Sequence, residues 1–276
     1  MSVSILILTL NEQMNLGACL ETVSWCDDVV VLDSNSVDGT VVIAREKGAR
    51  VIQRDFDNWA THQNWALNNI VFKHPWVFYL DADERMTDEL KQEILTISEH
   101  ANETAVAYYC GRKNFFMGRW IRHAMPPGMI MRFFKPAHVR FERLVNPTPI
   151  VNGPHGYLNH HFLHYNFSKG LGEWFEKHNK YSALEAMEGI KLLKGTTQYR
   201  SFLFSRDRAT RRKALKELSF RFPCRSLLKF SYLYVIKFGF LDGRPGFTYC
   251  VLQSIYEYMI ALKMKEFQRK EQGLPV

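Results

Sequence analysis

The segment 79–86, YLDADERM, sets Asp81 and Asp83 one residue apart at the end of the apolar run WVFYL, with Glu84 beside them. Hard divalent cations take oxygen ligands, and Mg2+ is commonly held by one or two carboxylates together with substrate phosphates. The pair therefore suits an ion that bridges a phosphorylated substrate. An acidic helix start would use the same residues, because carboxylates are favourable in a first turn. Glu84 is read as belonging to such a start. Two more polar clusters follow apolar runs: Thr9, Asn11 and Glu12 after VSILIL, and Asp33 with its neighbours SNS after DVVVL. Helix starts alone would have to explain three such clusters, not one.

Other phosphate and nucleophile chemistries lack their motifs. The chain has no G-x-x-x-x-G-K-[ST] loop and no G-x-G-x-x-G after an apolar run. It has no G-x-S-x-G elbow. A nucleotide would then have its diphosphate neutralised by a cation rather than cradled by backbone N–H groups. His160, His161 and His164 resemble a metal cluster. His161 and His164 have helical ligand spacing, yet no cysteine or carboxylate nearby completes a set. Structural or acceptor-lining roles suit them better.

The elements that must position these groups alternate. Residues 3–10 form a continuous apolar run, as a parallel strand buried on both faces does. Helical spacing follows over 15–23, then strands over 28–32 and 50–53 flank a short helix over 41–47. That helix stops at Gly48, a plausible C′ glycine. A helix over 59–69 leads to a fourth strand over 76–80. Thr87 is the expected N-cap of a helix over 87–99, with Asp88 and Glu89 in its first turn. This order predicts an α/β fold, a doubly wound, mostly parallel sheet whose ligands lie beyond the carboxyl ends of its strands. Further on, a strand is expected over 105–109 and a helix over 169–188 carrying Trp174, His178 and Tyr181. His178 with Lys177 and Lys180 is read either as lining an anionic crevice or as a solvated helix face.

The chain has 276 residues, 46% of them hydrophobic, enough for one large α/β domain with an appendage. Its five cysteines are scattered with no C-x-x-C pair, which argues against zinc or a disulfide framework. The N-terminus reads as a first strand rather than a signal peptide. The net charge is +8, and residues 199–237 hold eleven Lys/Arg against Asp207 and Glu217. So local a basic block on a near-neutral body suggests an anionic surface, membrane or nucleic acid. Residues 226–240 and 246–264 are apolar and aromatic but interrupted by charges, with the turn DGRPGF between them. Basic, amphipathic helices of this kind lie in a membrane interface or pack as a helical subdomain, and the two are compatible.

TLNE (9–12), VVVLDSNSVDGT (29–40), WATHQNWALN (59–68) and YLDADER (79–85) together resemble family 2 glycosyltransferases of the GT-A fold. RKNFFMGRWIRHA (112–124), HYNFSKG (164–170) and FLDGRPGF (240–247) resemble the bacterial branch that builds lipopolysaccharide cores and exopolysaccharides. The resemblance implies an inverting hexosyltransferase dependent on Mg2+ or Mn2+, with a nucleotide-diphosphate sugar, foremost a UDP-sugar, as donor. It implies that Thr9, Asn11, Glu12 and Asp33 line the nucleotide pocket. Gln63 and Asn64 would lie near the ribose and diphosphate, Asp81 and Ala82 would contact the nucleotide sugar, and Asp81 and Asp83 would form the metal motif with Asp83 the direct ligand. Arg132 resembles a family arginine on the acceptor or diphosphate side; from the residues alone it reads equally as a surface arginine.

One segment departs from the family pattern. Where relatives carry Val-His-Glu, whose glutamate resembles the general base, this chain reads LVNPTP (144–149), with Asn146 and Pro147 in place of His and Glu. Transfer to a sugar hydroxyl needs a base within reach of its proton. Glu142 is the nearest carboxylate, unless it pairs with Arg140 or Arg143; His155 is another choice, and an anionic acceptor would need none. The expected organisation is a transferase domain over 1–195, with a donor half 1–105 and an acceptor half 106–195. A helical extension over 196–276 would dock to membrane or to a second copy. The expected setting is the inner face of the cytoplasmic membrane, with a glycan or lipid-linked acceptor and no nucleic acid. Three rival readings stand: a polyprenyl-phosphate glycosyltransferase, a nucleic-acid-binding protein using 199–237, and a non-catalytic scaffold.

Overall fold

The computed structural model describes residues 2–100, 103–142, 147–194, 207–222 and 224–275. It divides into two compact units, residues 1–115 with 126–168, and residues 116–125 with 169–276.

The first unit is built on the apolar runs. Strands β1 (Val3–Thr9), β2 (Val29–Asp33), β3 (Arg50–Gln53) and β4 (Trp76–Asp81) lie parallel in the order β3-β2-β1-β4. Helices α1 (Gln13–Thr22), α2 (Thr40–Glu46) and α3 (Trp59–Asn69) connect them. Successive strand side chains point to opposite faces, so β1 feeds two cores. Val3, Ile5 and Ile7 join Leu16 and Leu20 of α1, whereas Leu6 and Leu8 join Ala60 and Ala66 of α3. Burial on both faces is why the run is continuous rather than alternating. Gly48 has φ 77° just past α2, and its N–H reaches the Arg45 carbonyl at 3.0 Å, as expected of a C′ glycine.

Beyond β4 the sheet leaves the parallel pattern. A two-residue strand β5 (Glu84–Arg85) precedes α4 (Asp88–Glu99), whose N-cap Thr87 accepts the Leu90 N–H at 3.3 Å. Strands β6 (Ala107–Phe116), β7 (Arg119–Trp120) and β8 (Met129–Phe134) follow. A small hairpin pairs β9 (Val139–Glu142) with β10 (Thr148–Val151). Strand β11 (His155–His164) closes the set. The sheet continues β4-β8-β6-β11-β5, with β8 antiparallel to both neighbours and β11 parallel to β6. The mostly parallel α/β class expected from the sequence is thus observed. Glu84, read as a helix-start residue, instead lies on β5, and α4 starts at Asp88. His161 and His164 occupy a strand, where a separation of three turns side chains to opposite faces. The helical ligand spacing read from the sequence does not apply.

The second unit is helical. Helix α5 (Gly170–Lys194) precedes α6 (Arg208–Arg221), α7 (Arg225–Ser231) and α8 (Gly243–Glu271). Ala186 and Ile190 of α5 pack with Ile260 and Met264 of α8. That shared core groups α5 with the C-terminal helices rather than with the sheet. The division expected at 195/196 falls outside the described residues, as do Arg200 and Arg206 of the basic block. His178 stacks on Trp174 with ring centres 3.8 Å apart and meets Tyr256 edge-on. It therefore takes part in helix packing, and burial holds its pKa below the ordinary value.

DGRPGF is not itself the turn. A π-helical turn (Tyr232–Ile236) and a 3-10 turn (Gly239–Asp242) reverse the chain, and Gly243 already opens α8. Pro245 falls in the first turn, where its missing N–H has no helical partner to lose. Phe238, between the two turns, has φ 58°, a left-handed conformation that costs an L-residue about 1–2 kcal/mol.

Asp242 is 5% exposed and acts as a collar for residues 122–124. Its carboxylate accepts the N–H groups of Arg122, His123 and Ala124 at 3.0, 3.0 and 2.8 Å, and His123 Nδ1 at 3.0 Å. Burial alone would raise its pKa. The Ala124 N–H, the His123 ring and the other two N–H groups outweigh burial and hold it below the ordinary value. A depressed carboxylate contributes stability above its unfolded pKa and loses it as pH falls through the folded value. Asp242→Ala strands three N–H groups, so a loss of about 3 kcal/mol or more is expected in urea unfolding at neutral pH. That loss should shrink as pH falls through the acidic range.

Candidate active site

Strand β4 delivers Asp81 at its carboxyl end, and the two residues after it turn the chain into β5. Four groups close on this turn. Tyr79 Oη donates to Asp81 Oδ1 at 2.6 Å, and Arg132 Nη2 donates to Asp81 Oδ2 at 2.7 Å. The same Nη2 reaches Glu84 Oε1 at 2.6 Å, while Glu84 Oε2 accepts the Asp81 N–H at 3.0 Å. Arg132 comes from β8, which pairs antiparallel with β4. Its guanidinium lies 4.3 Å from the Tyr79 ring centre and 5.3 Å from that of Phe162. Arg132 is 4% exposed and Glu84 0%, so the reading of Arg132 as a surface arginine fails.

Buried together, Glu84 and Arg132 shift one another. Burial pushes the Glu84 carboxyl up to about 8, against the pull of Arg132. Burial disfavours the charged form of Arg132, but Glu84 and Asp81 outweigh it and keep the guanidinium firmly protonated. Burial also pushes the Tyr79 phenol well up, so it stays a donor to Asp81.

Asp83 is placed differently. His164 Nε2 lies 3.3 Å from its Oδ2, and the Asp83 side chain keeps 26% of its surface exposed. His164 is the last residue of β11, opposite Glu84 in the β11–β5 pairing. Its Nδ1 faces Asn114 Oδ1 at 2.8 Å, which orients the ring. The turn therefore has one carboxylate, Asp81, with both oxygens held by Tyr79 and Arg132, and a second, Asp83, set against an imidazole.

The other clusters join loops. Thr9 Oγ1 donates to Asp33 Oδ1 at 2.9 Å, and the Ser36 N–H reaches Asp33 Oδ2 at 2.8 Å. Asp33 is fully buried between the ends of β1 and β2. Asn11, at φ 54°, accepts the Val37 N–H at 2.9 Å. The Glu12 N–H donates to Thr40 Oγ1 at 2.7 Å, and its carboxylate accepts Asn15 Nδ2. Thr9, Asn11, Glu12 and Asp33 are thus brought together where β1 and β2 end. Gln63 is buried near Tyr79, with Nε2 3.4 Å from Oη and Oε1 unpartnered among the described residues. Asn64 grips β9, donating to the Phe141 carbonyl at 2.8 Å and accepting its N–H at 2.7 Å. Ala82 is buried under the turn.

Glu142 ends β9, exposed and ion-paired with Arg140 Nη2 at 3.1 Å. Arg143 and Asn146 lie outside the described residues. His155 packs edge-on against Tyr109. His160 pairs with Glu93 at 2.9 Å, a link between β11 and α4. Sequence reading missed Tyr79 and the buried role of Glu84, and it did not join His164 to Asp83. A two-residue strand carries no periodic signal, so only the position of Glu84 directly after the aspartates hinted at its part.

Residues 4–156, more than half of the chain, match the model of glycosyl transferase family 2. The chain belongs to this family. Among relatives of this family 2 chain, it is similar to a glycosyltransferase of Rickettsia typhi, 23% identical over 99% of this chain and 89% of that one. It is also similar to the lipopolysaccharide core biosynthesis glycosyltransferase LpsC of Rhizobium meliloti, 31% identical over 42% of this chain and 43% of that one. Among solved structures it is similar to TarS 1–349 of S. aureus, with TM-score 0.42 and 14% identity over 98% of this chain and 92% of that chain. The assignment to family 2 rests on the family match.

Proposed function

We propose that this family 2 glycosyltransferase is an inverting, divalent-metal-dependent hexosyltransferase. It moves a sugar from a nucleotide-diphosphate sugar, foremost a UDP-sugar, to a glycan or lipid-linked acceptor of a bacterial surface polysaccharide. The observation that carries this reading is the unequal pair at the end of β4. Asp81 has both oxygens occupied by Tyr79 and Arg132, whereas Asp83 lies beside the His164 imidazole with part of its side chain exposed.

Among the described residues no group of three protein ligands forms a cation site. That donor set nevertheless fits Mg2+ or Mn2+, which take one or two carboxylates and complete their shell with water and substrate phosphates. Asp83 would be the direct ligand, and Asp81 would act through water. The ion would offset the charge that grows on the departing diphosphate. Arg132 and Glu84 hold the turn rigid, so Asp83 need not reorganise during transfer. Thr9, Asn11, Glu12, Asp33, Gln63 and Asn64 would shape the nucleotide side.

In the transfer an acceptor oxygen attacks the anomeric carbon, the bond from that carbon to the phosphate oxygen breaks, and the configuration inverts. A hydroxyl acceptor gives its proton to Glu142, which must first leave Arg140. An exposed pair of that kind costs about 0.2–1 kcal/mol to break. An anionic lipid phosphate would need no base, and the Glu142–Arg140 pair favours keeping this second reading. The two readings separate on Glu142→Gln, which should abolish transfer to a hydroxyl and leave transfer to a lipid phosphate intact.

The kinship with a lipopolysaccharide-core enzyme supports a surface-glycan acceptor. Among the described residues no helix is long and apolar enough to cross a membrane. A peripheral setting on the inner face of the cell membrane is part of the proposal, and a homo-oligomer is compatible with it. The deciding experiment titrates a panel of nucleotide sugars by calorimetry, with and without Mn2+. At least one donor should bind only with the metal; failure of all of them would overturn the reading.

A further inference from the structure

The helical unit carries a feature that sugar transfer does not use. Nine large apolar side chains between 227 and 247 are exposed, among them Ile236 at 63%, Phe238 at 54% and Leu241 at 57%. Six of them sit on the short stretch that reverses the chain between α7 and α8, and Leu227, Leu228 and Phe247 lie on the flanking helix ends. Its base is held tightly. A Cβ on Gly239 would meet the Leu233 carbonyl oxygen at 2.7 Å, and one on Gly246 would meet the Gly239 carbonyl oxygen at 2.3 Å. Backbone therefore packs on backbone there, and Asp242 fastens the stretch to residues 122–124. Above this base Phe238 takes a left-handed conformation and points a phenyl ring outward, where little packing compensates it. A rigid mount with an apolar tip is a display, not a failed core.

The charges on the stretch say what the display meets. Lys237 and Arg244 are exposed, whereas the one acid, Asp242, is buried and turned onto backbone N–H groups. Lys237 lies 5.7 Å from the Tyr232 ring centre, with its ammonium beside the aromatic tip. Lysines are depleted from the cores of protein interfaces. At a bilayer surface, aromatic rings sit at headgroup level and lysine stems lie along apolar groups with the charge held up toward phosphate. Anionic headgroups attract such cations. We infer that the 232–247 reversal is a monotopic membrane dock, inserting Ile236, Phe238, Phe240 and Leu241 among the lipids of an anionic bilayer, with Lys237 and Arg244 on its headgroups. This rests on the membrane side of the proposed function and is independent of donor chemistry.

The test is flotation of the full chain with phosphatidylcholine vesicles, with and without phosphatidylglycerol. The chain should float with the anionic vesicles, less so in high salt, and remain at the bottom with phosphatidylcholine alone. The triple variant Ile236→Ser, Phe238→Asn, Leu241→Ser should lose flotation at least tenfold. Asparagine tolerates the left-handed conformation and all three sites are exposed, so melting temperature and Mn2+-dependent nucleotide-sugar binding should stay unchanged. Wild-type chain that ignores anionic vesicles, or a triple variant that floats as well as wild type, overturns the inference. So does a wild-type dimer in light scattering that the triple variant converts to monomer, which would assign the patch to a second copy. Loss of donor binding in the wild type would instead count against the proposed function alone.

Discussion

At alkaline pH, above the Glu84 value of about 8, Arg132→Ala should destabilise the first unit by about 3–5 kcal/mol, the usual cost of stripping the partner from a buried charge. The reason is local. Glu84 has no exposed surface, and Arg132 joins it to Asp81 through one nitrogen. Without the guanidinium, the buried Glu84 carboxylate faces the partly exposed Asp81 with no cation between them. Urea unfolding measures the loss. Arg132→Ala with Glu84→Gln should cost less than Arg132→Ala alone, because the second change removes the stranded charge. A single-variant loss below about 1 kcal/mol, the range of exposed pairs, would show that the pair carries little.

The pH dependence follows from the same geometry. Burial already lifts Glu84 to about 8, and Arg132 pulls it down. Removing Arg132 releases that pull, so the folded variant holds the Glu84 proton to higher pH than the wild type does. A carboxyl whose folded pKa lies above its unfolded value binds more protons folded than unfolded. Stability then falls as pH rises from the ordinary glutamate range toward the folded value. The deficit of Arg132→Ala should therefore be level from the ordinary glutamate range up to near neutral, where both folded chains hold the proton, and grow as pH rises through about 8.

Asp83→Ala should leave the fold almost unchanged and remove transfer. Its side chain is partly exposed and pairs with His164, so a stability change within about 1 kcal/mol is expected. Activity with the donor found by calorimetry should fall roughly 100- to 1,000-fold, the scale of losing one charge partner of a transition state. Mn2+-dependent donor binding should weaken in step. Asp81→Asn should combine a milder loss of activity with a measurable loss of stability, because Arg132 and Tyr79 then hold a neutral amide. If Asp83→Ala retains full Mn2+-dependent turnover, Asp83 is not the metal residue, and the locked Asp81 must be reconsidered.

Much of this was legible in the chain. Residues 3–10, 28–32 and 76–80 announced strands because burial on both sheet faces demands unbroken apolar runs. Gly48 and Thr87 announced helix ends because caps answer to local backbone chemistry. The three polar clusters at strand ends, and with them Asp33, Asp81 and Asp83, were visible for the same reason: a polar residue directly after a buried strand is conspicuous.

Only the tertiary structure could decide what these residues do to one another. Arg132 meets Glu84 across 48 positions because β8 runs antiparallel beside β4, and that register leaves no local mark. His164 reaches Asp83 because β11 pairs with a strand of two residues, too short for any period to show. Asp242 collects the N–H groups of residues 122–124 from nearly 120 positions away, although its sequence context reads as an ordinary Gly/Pro turn. Side-chain periodicity reports which face is buried and capping reports where a helix stops, and both are short-range. Which charges meet depends on how distant strands align, and on that alignment rests the difference between Asp81, held by Tyr79 and Arg132, and Asp83, set against His164.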